Sequence, residues 1–281
     1  MQNLGFYDGE IVDPETPLIR LHDRAYQFGD GVYEAWVVDH GKHVLRYEHL
    51  ERFDRNVRAV GIEPVYTRKQ IEGFSDRLVE VSGIKDGMIY FQWSRGWQMP
   101  RAHVIGDCRP LLTGFIREIP SRSLNWFPRG QKVLFLPDER HLFCHIKTLN
   151  LLGSVMAINA AVKAGYDDAL LVRDINGQKF VTEGTKSNGF AVKGGTLHTA
   201  PEGNFILSGI TRMMVIRFCR SLGIPVVEAF QTPEFFLTAD EVFFTSASGL
   251  VPIDRIGEKT FGAHPIFNRL QQAYQDFLDS L

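Results

Sequence analysis

The sequence is poor in cysteine. Its 281 residues include three, Cys108, Cys144 and Cys219, an odd number at wide spacing. That excludes a disulfide-stapled secreted scaffold and predicts a protein of the reducing cytoplasm. Long apolar runs are lacking too: none approaches the ~20 residues needed to cross a bilayer, so no membrane is expected as a partner. Met1 to Glu10 contains no basic stretch followed by an apolar core, so no signal peptide is expected. An excess of charge of one sign is also missing. Lys and Arg number 31 against 33 Asp and Glu, and a formal net charge of -2 offers no footprint for nucleic acid. Several chemical signatures are absent as well: G-x-S-x-G, the P-loop and G-x-G-x-x-G, which removes the usual support for hydrolase, P-loop and dinucleotide readings. What is present, 44% apolar and 23% charged residues, is ordinary for a folded chain with a sizeable core.

Hairpins dominate the pattern. Tyr33 to Val38 alternates, Asp39-His40-Gly41-Lys42 reads as a turn, and a return strand begins at His43. Glu48 to Val60 has apolar residues at helical spacing. Thr67 followed by Gln70 predicts a capping box opening a second helix that stops near Gly83. Met88 to Ser94 and Leu111 to Arg117 read as strands. Prolines and polar residues from Glu118 to Gly130 break the pattern. Beyond them come a strand at Lys132 to Leu136, a helix at Leu151 to Lys163 and hairpins around Asn176-Gly177 and Gly194-Gly195. Thr211 to Leu222 reads as a helix, Thr232-Pro233-Glu234 starts another, Val242 to Thr245 reads as a strand and Pro265 to Leu278 as a final helix. Helices do not alternate regularly with strands, so the expected fold class is α+β in two domains: residues 1–118, a linker at 119–128, and residues 129–281.

Three local features bear on chemistry. His141, Cys144 and His145 are compact enough to suggest a metal site. A strand would point Cys144 away from His145, however, and no fourth ligand follows at finger spacing, so no metal is expected. Lys147 lies in Cys144-His145-Ile146-Lys147-Thr148-Leu149-Asn150, a stretch nearly free of charge. Poor solvation of an ammonium there favours the neutral amine that imine chemistry needs, although a lysine picked at random is more often a snorkelling surface residue. Ser208-Gly209-Ile210-Thr211 precedes a helix and would present free N–H groups to a phosphate, unless it serves only as a cap.

Taken in order, the segments Asp23 to Glu34, Glu48-His49-Leu50-Glu51-Arg52, Ile146 to Asn150, Thr182-Glu183-Gly184, Ser187-Asn188 and Gly209-Ile210-Thr211-Arg212 resemble the fold-type-IV pyridoxal-phosphate family. The resemblance runs from about Gly5 to about Gly262. It implies a D-amino-acid aminotransferase-like architecture with pyridoxal 5'-phosphate as cofactor, carried by Lys147 of the C-terminal domain as an internal aldimine. It further implies that Glu183 pairs with the pyridine nitrogen, that Arg52 contacts the phosphate, and that Ile210 and Thr211 add backbone and hydroxyl donors. Leu207 would pack on the ring face, with a plain core leucine as the alternative. Ser246, Ala247 and Ser248 correspond to a second phosphate-side loop. Relatives often carry Thr where Ala247 stands, so a contact there must come from the backbone or from Ser246 or Ser248.

The family includes enzymes of opposite stereochemical preference. Arg95 to His103 is similar to the R-x-H carboxylate trap of the D-amino-acid branch, which implies that Arg101, His103 and Tyr33 bind the substrate carboxylate. In those relatives the Arg and His reach in from the neighbouring subunit, which implies a homodimer with shared sites. The implied reaction is ping-pong exchange of an amino group between a D-amino acid such as D-alanine and a 2-oxo acid such as 2-oxoglutarate. The same scaffold also serves branched-chain L-aminotransferases and aminodeoxychorismate lyases, and a non-catalytic binding protein is the reading from another class. Lys186 departs from the small or polar residue that relatives often have, and either points to solvent or alters preference for acidic substrates.

Overall fold

The computed structural model describes residues 2–119 and 130–281. Two units result: Met1–Arg122 with Ile146–Asn150, and Ser123–His145 with Leu151–Leu281. The expected linker at 119–128 lies outside the described residues apart from Ile119, which is buried.

The first unit contains β1 (Leu4–Tyr7), β2 (Glu10–Val12), α1 (Arg24–Phe28), β3 (Gly31–Asp39), β4 (Lys42–His43), α2 (Arg46–Ala59), α3 (Arg68–Ser82), β5 (Gly87–Ser94) and β6 (Leu111–Glu118). The six-stranded sheet has the order β2-β1-β6-β5-β3-β4 and is antiparallel throughout. Strand parity divides its labour. Val32, Trp36, Ile89, Phe91 and Trp93 share a buried core with Leu50, Phe53 and Val57 of α2 and Ile71 and Leu78 of α3. Each large apolar side chain buried there is worth roughly 1.5–3 kcal/mol, which favours one register over its one-residue slip. Tyr33 and Tyr90 have the other parity and stack with ring centroids 5.3 Å apart. The capping box expected at Thr67 is present, with both reciprocal bonds to Gln70, and Gly83 ends α3 at φ 67°. The return strand after the Asp39–Lys42 turn is only two residues long, because α2 begins already at Arg46.

The second unit contains β7 (Gln131–Pro137), α4 (Leu152–Lys163), β8 (Asp168–Ile175), β9 (Gln178–Gly184), β10 (Asn188–Lys193), β11 (Thr196–Thr199), α5 (Ile210–Ser221), β12 (Val226–Glu228), α6 (Pro233–Leu237), β13 (Glu241–Ser246), β14 (Gly249–Ile256), β15 (Lys259–Thr260) and α7 (Pro265–Asp279). The sheet runs β12-β11-β10-β13-β14-β7-β8-β9, with β15 on β14. It is mixed, because β7 pairs parallel with both β14 and β8. The Asn176-Gly177 turn has φ values of 55° and 83°, the left-handed pair that a tight hairpin between β8 and β9 requires. Val133, Leu170, Val181, Val242, Phe244 and Ile253 form the core of this sheet. No helix among the described residues is long and apolar enough to cross a membrane.

Candidate active site

Lys147 belongs to the first unit. The sequence placed it in the C-terminal domain, but the Ile146–Asn150 segment is pinned to the start of β3. Tyr33 N donates to Lys147 O at 3.0 Å, Leu149 N to Gly31 O at 3.1 Å, and Asn150 Nδ2 to Gly29 O at 3.1 Å. The close approach needs glycine. A Cβ on Gly31 would fall 2.8 Å from Leu149 Cδ1 and 2.3 Å from Trp93 O, and one on Gly29 would fall 2.6 Å from Asn150 Oδ1. The half-buried Lys147 extends its Nζ to 4.3 Å from the centroid of the Tyr33 ring.

One residue further along β3, parity turns Glu34 into the core, where it is fully buried. Arg52 grips it bidentately, Nε to Oε2 at 2.9 Å and Nη2 to Oε1 at 2.8 Å, while His49 Nδ1 stands 3.0 Å from Oε1. Burial alone pushes the Glu34 carboxyl up, but the Arg52 guanidinium and the His49 ring outweigh it and hold it far below the usual carboxylate range. Burial pushes His49 down, Glu34 opposes that, and the nearby Arg52 and Lys147 charges add to it. The ion pair fixes the orientation of the expected phosphate ligand Arg52. Its signal was in the sequence, since Glu34 closes the Asp23 to Glu34 segment, but the segment alone assigns it no partner.

Arg101 and His103 lie on the exposed loop after β5. The Arg101 guanidinium sits 4.3 Å over the Phe28 ring, and the His103 ring is 5.2 Å from it. His103 lines a cavity of about 380 Å³ with Arg24, Phe28, Asp30, Thr148 and Asn150. Tyr33 meets Lys147 and Tyr90 instead, so one chain does not by itself bring the three expected carboxylate ligands together.

In the second unit Glu183 occupies the buried end of β9. Arg140 Nη1 donates to Oε1, Asn188 Nδ2 to Oε2 at 2.9 Å, and Leu207 N to both oxygens at 3.3 and 3.2 Å. Burial pushes this carboxyl up and Arg140 opposes the shift. These three donors make four contacts, two on each oxygen, and the bifurcated Leu207 amide can settle on one oxygen, which frees a position for the N–H that a protonated ring nitrogen would supply. Arg140 was not foreseen. It also holds Asp138, Nε to Oδ1 at 2.9 Å, and Asp138 accepts from Thr182 Oγ1 at 2.8 Å. The only hint was an arginine closing the polar run after strand β7. Leu207 is half-buried with its N–H on Glu183, and Lys186 is exposed, so its side chain points to solvent.

The second unit also offers an anion cradle. Gly209 caps α5 without a side-chain hydrogen bond, which leaves the first amides of the helix, those of Ile210 and Thr211, for another acceptor. The Thr211 hydroxyl, expected as a donor to phosphate, instead donates to Ser246 O at 2.7 Å, so the donor it retains is its backbone N–H. Ser248 N donates to Ser246 Oγ at 3.2 Å, and Thr245 Oγ1 is buried with no hydrogen-bond partner. Uncapped amides and an orphaned hydroxyl fit a phosphate, and the Glu183 clamp fits a pyridinium. Of the trio His141, Cys144 and His145, the buried Cys144 thiol donates to His141 O at 3.1 Å.

Comparison with known proteins adds to this geometry. The family model described as "Amino-transferase class IV" matches residues 31–256. A D-alanine aminotransferase of Staphylococcus aureus strain MSSA476 is 34% identical over 98% of both chains. One of Listeria monocytogenes serotype 1/2a strain 10403S is 38% identical over 89% of this chain and 86% of its own. Among solved structures, the branched-chain aminotransferase of Thermoproteus uzoniensis with norvaline superposes with a TM-score of 0.88 at 26% identity, covering 98% of this chain and 94% of that one. The chain belongs to the class IV amino-transferase family.

Proposed function

We propose that this protein is a pyridoxal-phosphate-dependent D-amino-acid aminotransferase that works as a cytoplasmic homodimer. The observation that carries the reading is the placement of Lys147, whose amine rests on the Tyr33 ring while its backbone is pinned to β3. The D-alanine aminotransferases at 34% and 38% identity support the substrate class. The free thiols of Cys108, Cys144 and Cys219 suit a reducing compartment.

When bound, pyridoxal 5'-phosphate supplies the aldehyde that receives the amino group and a ring that accepts the electrons of the α-carbanion. Lys147 anchors the cofactor through Nζ. Its amine would be placed to take the proton from the substrate's α-carbon as general base and to return it as general acid. Glu183 holds a proton on the ring nitrogen. Arg52, the amides of Ile210 and Thr211 and the Ser246, Ala247, Ser248 loop bind the phosphate. Arg101 and His103, supplied by the neighbouring subunit, bind the substrate carboxylate together with Tyr33. The proposed domains are residues 1–118 and 129–281, joined by a linker at 119–128.

A branched-chain L-aminotransferase is the second reading, favoured by the superposition on the Thermoproteus enzyme. Assaying D-alanine with 2-oxoglutarate, L-leucine with 2-oxoglutarate, and aminodeoxychorismate in parallel separates the readings. D-alanine should turn over fastest, and borohydride should fix the cofactor on the peptide containing Lys147. Faster turnover of L-leucine, or fixation on another lysine, overturns the proposal.

A further inference from the structure

Arg24 has no role in the scheme above, yet it is a buried arginine beneath the loop that carries Arg101 and His103. Its guanidinium serves four acceptors. Nε donates to Asp30 Oδ2 at 2.7 Å, Nη1 to Ala102 O at 2.7 Å and Gln98 Oε1 at 3.2 Å, and Nη2 to His103 O at 3.2 Å. Two of these acceptors are main-chain carbonyls of the very residues that follow and include the R-x-H pair. Asp30 is held from behind by Arg95 Nε at 2.9 Å, and Arg95 is itself fixed on the carbonyls of Gly61 and Val60. Gln98 extends the brace, donating to Val104 O at 3.0 Å and accepting from Gly106 N at 2.9 Å. The Arg24 and Arg101 guanidinium carbons lie 4.9 and 4.3 Å from the same Phe28 ring.

The loop has little apolar anchoring of its own: Met99, Val104 and Ile105 are exposed. An exposed loop without a core is held by its polar contacts, and here the buried ones converge on a single planar fork. Lysine cannot serve four acceptors at such divergent angles. We infer that Arg24 is the positioning residue of the carboxylate-binding pair: by gripping the Ala102 and His103 carbonyls it presents Arg101 and His103 in one conformation. This rests on the reading of Arg101 and His103 given above, and it assigns Arg24 to substrate affinity, not to the chemical step.

The test uses the holoenzyme with Arg24→Met, Arg24→Lys, Arg101→Ala and the Arg24→Met/Arg101→Ala double variant. Arg24→Met should raise the KM for D-alanine about tenfold with kcat within about threefold, because binding is lost and chemistry is kept. Arg24→Lys should behave similarly, and it serves as the milder variant if Arg24→Met fails to fold. The double variant should raise KM by less than the product of the two single effects, since Arg24 acts in part through Arg101 and otherwise through His103. Independently of activity, trypsin should nick the chain after Arg101 faster in both Arg24 variants. Additive KM effects, a loss confined to kcat, or unchanged nicking overturns the inference. If wild type does not turn over D-alanine, or Arg101→Ala is as active as wild type, the functional reading fails instead, and the digestion rate alone decides what Arg24 does.

Discussion

The imidazole of His43 is held between two partners that demand one protonation state. Trp36 Nε1 donates to His43 Nδ1 at 3.0 Å, so that nitrogen must keep its lone pair, and His43 Nε2 faces Asp76 at 3.0 Å. Burial pushes the ring's pKa down to about 4 from 6.5, with the Arg46 charge adding and Asp76 opposing. The sign follows from proton counting. Between pH 6.5 and 4 the unfolded chain binds a proton that the folded one refuses, so stability falls as pH falls through that window. The loss should approach about 2–3 kcal/mol, given ~1.4 kcal/mol per pKa unit. His43→Gln keeps an acceptor for Trp36 and a donor for Asp76 but does not titrate. Urea unfolding at pH 7 and pH 5 should therefore show a smaller drop for the variant, and equal drops would rule the mechanism out. Glu34 acts in the same direction at lower pH, since its pKa too is lowered on folding. Its depressed carboxyl contributes fully above its ordinary value of 4.5, and that contribution fades as acid drops below it.

The start of α5 is the element on which the anion cradle and the Glu183 clamp meet. A Cβ on Gly209 would fall 2.0 Å from Asn188 Oδ1, and Asn188 Nδ2 bonds both Glu183 at 2.9 Å and Leu207 O at 2.8 Å. Gly209→Ala must displace that amide or tilt the helix start. We expect it to weaken cofactor binding about tenfold and to cost roughly 1–3 kcal/mol of stability, as overpacking does. Fluorescence titration with pyridoxal phosphate and thermal melts would measure both, and unchanged affinity would separate the cap from the cofactor. Elements whose ends carry their own chemistry were legible in the sequence: the Thr67–Gln70 box, the Asn176-Gly177 turn, and α7 with Pro265 in its first turn. Strands that depend on distant partners were not. β1 and β12 are three or four residues long, and β14 is defined by pairing with β13 and β7 from opposite sides, which no local period reports. The same holds for the site. Lys147 and Glu183 stood out by their neighbours in sequence, whereas Arg140 and Arg24 matter through residues tens of positions away.

Dimerisation decides whether the proposed site is complete. Within one chain Arg101 and His103 sit at Phe28 and not at Tyr33. Large apolar side chains also stand uncovered on α4 of the second unit, with Leu152 73% and Met156 64% exposed. If the carboxylate pair is supplied in trans, co-expressed Lys147→Ala and Arg101→Ala chains should complement each other. Half of the dimers would be mixed, each with one intact site of two, so about a quarter of wild-type activity should return. Sites built within a single chain would leave the mixture inactive. If α4 lies in the interface of the proposed dimer, Met156→Glu should shift the protein toward monomer in sedimentation and lower activity with it. An unaltered mass would move the interface elsewhere.

The five residues Ile146–Asn150 belong to the first unit although the chain on both sides of them belongs to the second. A contiguous fragment ending at residue 122 therefore lacks the strap that closes β3, and one beginning at 123 removes the amine from its own surroundings. During synthesis Lys147 cannot reach its seat until more than half of the polypeptide has left the ribosome. Neither half, cloned alone, would hold Lys147 in that seat.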